Sequence, residues 1–446
     1  MHIKLPDHIE HVLNELRNQG FQAAVAGGAV RDLLMDRSPR DFDVVCSAEA
    51  GEVARLFEKT LPIGIKHGTT VVMVGDNRVE VTSCRGSGAG GGWAVRLQED
   101  LLHRDFTVNA MAIDGSGALI DPWGGRQDIA ARLIRAPENQ AGERFREDPL
   151  RMLRAVRLAA VLDFRLDDSL SPAMEECLDL IDSVAAERIK EELAAILVSE
   201  HPARGLRLMV ETGLMQRIIP EVMAMVGFEQ HNPAHINDVF NHSLAVVENV
   251  PAQLEIRLAA LLHDIGKPAT FTMDSRGIGH FYHHQQESQR QTLQILKRLR
   301  FSRAVVDKVS TLVGNHMYWL TRPDREAVIR LLIQVGEDNL PDLFTLQKAD
   351  INGSASFHDS SFIDQAQRIY QKVVDSQAPL NIKDLAVNGR DLMEIGYQAD
   401  AKLGQALRLL LEMVLKNSVE NRKEKLLAAA RELLAYGADA VYTYDY

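Results

Sequence analysis

The stretch from Gly27 to Val45, reading GGAVRDLLMDRSPRDFDVV, limits more than any other what this chain can fold into. The apolar run Phe21 to Ala26 predicts a buried strand, and Ala29 to Met35 predicts one or two turns of helix. The glycine pair between them lets backbone come close to a ligand. After Pro39, the segment Asp41-Phe42-Asp43-Val44-Val45 returns to strand character. Period-two alternation then puts the Asp41 and Asp43 carboxylates on one face and Phe42 on the other. Two acids on one strand face repel unless a cation lies between them, and Mg2+ suits carboxylates that share it with substrate phosphates. Glycines for a triphosphate and paired carboxylates for metal are the equipment of nucleotidyl transfer. The plainer reading of a D-x-D triplet is a solvated strand end, against which the upstream GG-x-V-R-D weighs.

The flanking sequence predicts a head built around this unit. Residues 6–19 carry Ile9, Val12, Leu13 and Leu16 at helical spacing and stop at Gly20. Residues 50–59 read as a helix, and 69–74 and 78–82 as strands. On the last of these, Val79 and Val81 turn inward and leave Glu80 as a third acid or as an ordinary exposed glutamate. Ser83 to Gln98, centred on GSGAGGG, reads as a flexible connection that holds no side chain in place. The trio His103, Arg104 and Asp105 next to an apolar segment exceeds what capping needs and predicts a ligand contact. Beyond residue 140 strand signals stop and the chain is expected to be helical to its end. Pro149 suits a first helical turn with Asp148 as its cap. Asp148 and Arg151 share a face that Arg154 and Arg157 extend. That face is either a capped helix with a solvated stripe or an anion track beside an Asp–Arg pair able to bond a base edge.

Length and charge narrow the classes. A chain of 446 residues holds three or four domains, and a net charge of −12 argues against non-specific coating of nucleic acid. Cys46, Cys84 and Cys177 are too scattered for a disulfide framework or a thiolate metal site. No signal peptide and no membrane-length apolar run is present, which predicts a cytoplasmic protein with no membrane partner.

The ordered set GG-x-VRD…DFD, RDFTVNAMA, Asp121-x-x-Gly124-Gly125-x-x-Asp128, EDPLR and the ERIKEEL segment at 187–193 resembles the class II tRNA nucleotidyltransferases, closely over residues 20–230 and more loosely beyond. The resemblance implies an α+β fold: a DNA polymerase beta-like head with a mixed sheet and helices (1–140), then an all-α neck carrying a nucleotide-template helix (141–230). A further domain (231–375) and a helical, tRNA-binding tail (376–446) would follow. It implies Asp41 and Asp43 as Mg2+ ligands; Glu80, on the strand reading above, is a further catalytic candidate. Gly27, Gly28 and Arg31 would lie at the triphosphate, and Arg104 and Asp105, supported by Asn109, at the ribose hydroxyl. Asp148 and Arg151 would act as a protein template for C and A, with Arg154 and Arg157 holding phosphates. The implied partners are tRNA, CTP and ATP.

Two departures from the family pattern carry expectations. His103 stands where the family has an arginine, which puts one ribose or phosphate contact in doubt. The glycine-rich segment is shorter than the family's flexible loop and lacks its charged and aromatic residues, which resembles CC-adding rather than CCA-adding members. Full CCA addition and a poly(A) polymerase are the alternatives.

His242, His263-Asp264, His284, His316 and Asp350 form the ordered pattern H…HD…H…H…D, which resembles the HD metal-dependent phosphohydrolases. Imidazoles mixed with carboxylates suit Mn, Ni, Fe or Zn better than magnesium. Lys267 would meet a phosphate or be a solvated helix-end lysine. The resemblance implies a second, hydrolytic activity on cyclic phosphates and nucleotides. A hydrolase with an inactive transferase head is the remaining alternative.

Overall fold

Small and β-branched residues at Ala23–Ala26 and Phe42–Cys46 form two antiparallel strands, β1 and β2, buried along nearly their whole length. They sit at the centre of a seven-stranded sheet completed by β3 (Thr60–Leu61), β4 (Thr69–Val74), β5 (Asn77–Ser83), β6 (Ala112–Asp114) and β7 (Leu119–Ile120). The order is β3-β4-β5-β2-β1-β6-β7, with β2 and β5 parallel and the other pairs antiparallel. This is the polymerase-beta-like mixed sheet expected of the head. The computed structural model describes residues 3–61, 68–84, 92–231, 238–354, 359–376 and 378–436. The chain divides into two compact units, Met1–Ile218 and Ile219–Tyr446.

Alternation along β1 and β2 separates two cores. Val25, Phe42, Val44 and Cys46 face one side and pack with Ile9, Val12, Leu13 and Leu16 of helix α1 (Asp7–Asn18) and Val30 of α2 (Gly28–Leu34). Val53 of α3 (Ala50–Leu56) closes that side. Ala24, Ala26 and Val45 face the other side against Leu97 and Leu101 of α4 (Trp93–Leu102). Asp43 belongs to this second face, opposite Ala26 in register. A methyl group there leaves open the volume that a larger side chain would fill.

Helix α4 corrects the expectation that Ser83–Gln98 holds no side chain. Trp93, Leu97 and Leu101 recur every four residues and make a stripe that docks on the sheet, and Leu97 is 1% exposed. The glycine run upstream hides this period in the sequence; residues 85–91 of the run lie outside the described residues.

The remainder of the first unit is mainly helical. It contains α5 (Gly125–Ala131), α6 (Ala141–Glu147), α7 (Leu150–Leu162), α8 (Leu170–Cys177) and α9 (Ala186–Leu197), with α7 lying against α9. Strand structure does not stop at residue 140: Arg165–Leu166 pairs in parallel with Leu133–Ile134, and Phe271–Met273 pairs with Gly279–Phe281 as a hairpin in the second unit. Two- and three-residue strands fall below the length at which alternation is readable. The second unit is otherwise helical. None of the described helices is long and apolar enough to cross a membrane.

Candidate active sites

In the first unit, one cavity of about 990 Å³ collects most of the expected residues: Gly28, Arg31, Asp41, Asp43, Glu80, Arg104, Asp105, Asn109, Arg151, Arg154 and Arg157. Asp43 and Glu80 are register partners across β2 and β5. Burial raises the Asp43 carboxyl above its ordinary range, Arg104 works against this, and the neighbouring Asp41 adds to it. Asp41 and Asp43 offer oxygen donors in one cavity, one of them penalised for its charge, which suits a hard divalent cation, whereas the donor atoms of Asp41, Asp43 and Glu80 do not all converge as the histidine cluster does.

Gly27 has φ +85°, and a Cβ on it would overlap the Arg104 guanidinium and approach Asp43. The first glycine of the pair therefore seats Arg104 beside the acids. Its backbone N–H donates to Met111 O at 3.1 Å.

A polar chain runs through the cavity wall. Arg31, paired with Asp32, donates from Nη1 to Asn109 Oδ1 at 2.6 Å; Asn109 donates from Nδ2 to Asp105 Oδ1 at 3.0 Å. Asp105 Oδ2 pairs with Arg154 at 2.9 Å. Burial pushes the Asp105 carboxyl up, but Arg154, Asn109 and the Phe106 N–H outweigh it and hold it below the usual carboxylate range. Asp105 thus stays an acceptor.

Asp148 lies elsewhere. Helix α7 starts at Leu150 with Pro149 at its cap position, so the expected Asp148 cap is displaced by one residue. The carboxylate accepts the Leu150 N–H at 3.2 Å and two bonds from Arg188 of α9, at 2.8 and 3.3 Å. Arg151 instead pairs with Glu147 at 2.9 Å and donates to His103 O at 3.0 Å. Asp148 and Arg151 are therefore held by different partners, and only Arg151 lines the cavity. His103 Nδ1 lies 2.7 Å from Arg144 Nη1, which sets a guanidinium next to the position where an arginine was expected.

Several lining residues escaped the sequence reading. Asp100 is buried and pairs with Arg104 one helical turn on, a spacing that α4 makes visible only once it is known to be helical. Glu192, which does not itself line the cavity, pairs with the lining Arg157 at 2.6 Å; burial raises its carboxyl against the lowering by Arg157 and Arg154. It lies in the ERIKEEL segment, which was noted without a role. Arg37 and Arg40 add two further cations to the lining.

In the second unit, His242, His263, Asp264, His284, His316 and Asp350 converge, all but Asp350 nearly or fully buried. His242 Nε2 lies 3.3 Å from His263 Nε2 and 2.9 Å from Asp350 Oδ1; His284 Nε2 lies 3.2 Å from both His316 Nε2 and Asp264 Oδ1. Asp264 Oδ2 is 3.2 Å from His263 Nε2, so this carboxylate serves both halves of the cluster. Every imidazole turns Nε2 inward while Nδ1 faces a backbone carbonyl: Gly353, Ala260, Phe281 and Val313 respectively, at 2.7 to 3.3 Å. That arrangement ties each outer nitrogen to the backbone and leaves the inner nitrogens facing one another and the carboxylates. Burial disfavours charge on His263, yet Asp264 and Asp350 push its pKa up to about 10. A centre that draws positive charge so strongly fits a metal ion with mixed N and O donors.

Lys267 is not a solvated helix end. It is 6% exposed, with Nζ 2.7 Å from Asp264 Oδ2 and donating to Gln230 Oε1 at 2.9 Å. Gln230, also buried, carried no sequence signal.

A mixed sheet presenting paired aspartates to an arginine-lined cavity defines a nucleotidyltransferase. The Poly A polymerase head domain matches at residues 23–135, the probable RNA and SrmB-binding site of polymerase A at 163–225, and tRNA nucleotidyltransferase domain 2 (putative) at 270–430. The chain is 34% identical to the CC-adding tRNA nucleotidyltransferase of Thermus thermophilus, over 92% of each chain. It is 31% identical to the CCA-adding enzyme of Bacillus velezensis, over 93% of this chain and 95% of that one. The structure is similar to that of the Bacillus stearothermophilus CCA-adding enzyme in complex with CTP, with a TM-score of 0.71 and 28% identity over 96% of this chain and 98% of the other. The chain belongs to the class II tRNA nucleotidyltransferases, the family of CCA-adding and CC-adding enzymes.

Proposed function

We propose that the first unit joins CMP from CTP to the 3′ end of tRNA and stops after the second C. The observation that carries the transfer reading is the cavity in which Asp41, Asp43 and Glu80 face Arg31, Arg104 and Arg154. Two divalent metal ions held by Asp41 and Asp43, Mg2+ by its preference for oxygen donors, would supply the charge stabilisation for attack of the tRNA 3′-hydroxyl on the α-phosphorus with pyrophosphate leaving. Arg31 binds the triphosphate beside the glycine pair. Arg104 and Asp105, braced by Asn109, take the ribose hydroxyl, and Arg154 and Arg157 hold phosphate oxygens. Asp148, which would have to leave Arg188 and turn toward the cavity, accepts from the exocyclic amine of cytosine while Arg151 donates to the adjacent ring nitrogen, an edge that uracil presents in reverse order. The four-part division at residues 140, 230 and 375, with a tail that grips tRNA, belongs to the same reading.

The short glycine segment favours CC over CCA addition; the relatives include both a CC-adding enzyme and CCA-adding ones and do not choose between them. Extending a tRNA transcript that lacks CCA with CTP and ATP together, then sizing and sequencing the product, decides the matter. A product ending in CC is expected, and one ending in A removes the CC-only reading. A ladder of A residues on any RNA would point to the poly(A) polymerase alternative.

A second reading concerns the other unit and is favoured by the inward-facing imidazoles. We infer a metal-dependent phosphohydrolase there, with Mn, Ni, Fe or Zn held by His242, His263, Asp264, His284, His316 and Asp350 and able to activate a water. Lys267, which lines the same cavity as Asp264, would meet a phosphate oxygen there. Hydrolysis of a 2′,3′-cyclic nucleotide stimulated by added Mn2+ and lost in His263→Ala is the expected result; retention in that variant removes the assignment.

A further inference from the structure

Asp264, His284 and Asp350 of the histidine cluster line a cavity of about 490 Å³ together with Lys267. His280, Ser354 and Asp359 add further polar groups to the wall. The rest of the wall includes Phe281, Met317, Trp319 and Phe362. Lys267 Nζ sits 5.4 Å from the centroid of Phe281, so the cationic and aromatic parts are contiguous. Trp319 and Phe362 meet edge to face, with centroids 6.1 Å apart and planes at 79°. In such a pair at least one ring keeps both faces off its partner and can stack a third aromatic group. The turn bearing Trp319 is fixed from beneath: buried Gln347 donates from Nε2 to His316 O at 3.1 Å and to Tyr318 O at 3.0 Å. The aromatic wall is thereby tied to a member of the histidine cluster.

Metal-binding residues alone would serve any phosphate ester, and phosphate needs no aromatic rings. We propose that this cavity is a nucleoside phosphate site in which the phosphate lies at the histidine cluster and Lys267 while Trp319 and Phe362 stack the base. The volume suits one nucleotide, at the lower part of the range for ligand sites. Stacking tolerates every base, so the site selects for the presence of a base rather than for its identity. Trp319 and Phe362 are the specificity-determining residues. The chemistry is shared by a free mononucleotide and by the last nucleotide of an RNA. This inference rests on the phosphohydrolase reading for its catalytic readout and on geometry alone for its binding readout.

The test uses the full chain with Mn2+ and three substrates: adenosine 2′,3′-cyclic phosphate, a short RNA ending in a 2′,3′-cyclic phosphate, and the baseless glycerol 1,2-cyclic phosphate. Loss of a stacked base predicts a rise in KM for nucleotide of roughly 5- to 100-fold in Trp319→Ala, with kcat little changed. Trp319→Phe should restore most of it, and the baseless substrate should show no difference. A loss on the mononucleotide identifies a free-nucleotide site; a loss confined to RNA identifies an RNA end. Unchanged KM on both, in a Trp319→Ala protein that melts like the parent, overturns the proposal. Should the parent hydrolyse none of the three, the phosphohydrolase reading falls, and the pocket is judged by binding. Quenching of tryptophan fluorescence by 2′-AMP that is diminished in Trp319→Phe then upholds it, and quenching identical in both proteins overturns it.

Discussion

Asp43 on β2 stands directly across from Glu80 on β5 in the parallel register of the two strands. The two acids share a cavity, and burial penalises the charge of Asp43, which lies beside Arg104. Asp43→Ala should lower CMP incorporation by at least about a thousandfold, since a metal ligand accounts for several kcal/mol of transition-state stabilisation. Filter binding of tRNA should stay within a few-fold. Glu80→Gln should cost closer to tenfold, and equal losses in the two variants would show that Glu80 is itself a principal ligand.

The raised Asp43 carboxyl makes a stability prediction with a definite sign. Its folded-state pKa lies above the unfolded value, so between the two the folded state binds more protons and stability falls as pH rises through that window. At neutral pH, in EDTA, the ionised carboxylate therefore burdens the fold. Asp43→Asn should melt at a higher temperature than the parent under those conditions, and added Mg2+ should narrow the gap by stabilising only the parent. A lower melting temperature for Asp43→Asn in EDTA would contradict this.

Gly27 combines φ +85° and ψ −144° with a guanidinium packed over its Cα. Gly27→Ala should cost about 1–3 kcal/mol from backbone strain alone. It should also displace Arg104 and raise the KM for CTP. Chemical denaturation and steady-state kinetics separate the two effects, and an unchanged KM would place Arg104 outside nucleotide binding.

Asp148 is held by Arg188, 40 residues away, rather than by Arg151. If Asp148 leaves that hold to read the cytosine amine, Asp148→Ala should erode discrimination of CTP against UTP while Arg188→Ala spares it. A bidentate base contact predicts a loss of roughly 5- to 150-fold in the ratio of kcat/KM values. Equal loss in Arg188→Ala would show that Asp148 needs that hold to read the base.

In the second unit, metal content measured on purified protein should fall in His263→Ala and in His284→Ala, because each removes a donor from one half of the cluster that Asp264 links. Chelation should lower the melting temperature of the parent and have little further effect on the double variant. Full metal retention in both single variants would argue against ligation.

The local features of the fold were legible because they are periodic. Val25 and Val44 alternate with Ala24, Asp43 and Val45, and the two faces follow from that pattern alone. Non-local partnerships were not. Nothing near Glu80 states that β5 runs parallel to β2, and nothing near Asp148 points to Arg188. Helix α4 was obscured by the glycines before it, although Trp93, Leu97 and Leu101 carry the helical period once the segment is begun at residue 93. The spacing of the six histidine-cluster residues was visible, whereas the burial of Lys267 against Gln230 depends on a contact across 37 residues.

Asp105 is bonded on one side to Asn109 in the head and on the other to Arg154 in α7. The residue proposed to sense the ribose is thus mechanically shared between the turn at Thr107–Asn109 and the helix that carries Arg154. Sliding or rotation of α7 as the RNA end grows would pull on Arg154 and, through Asp105 and Asn109, on Arg31.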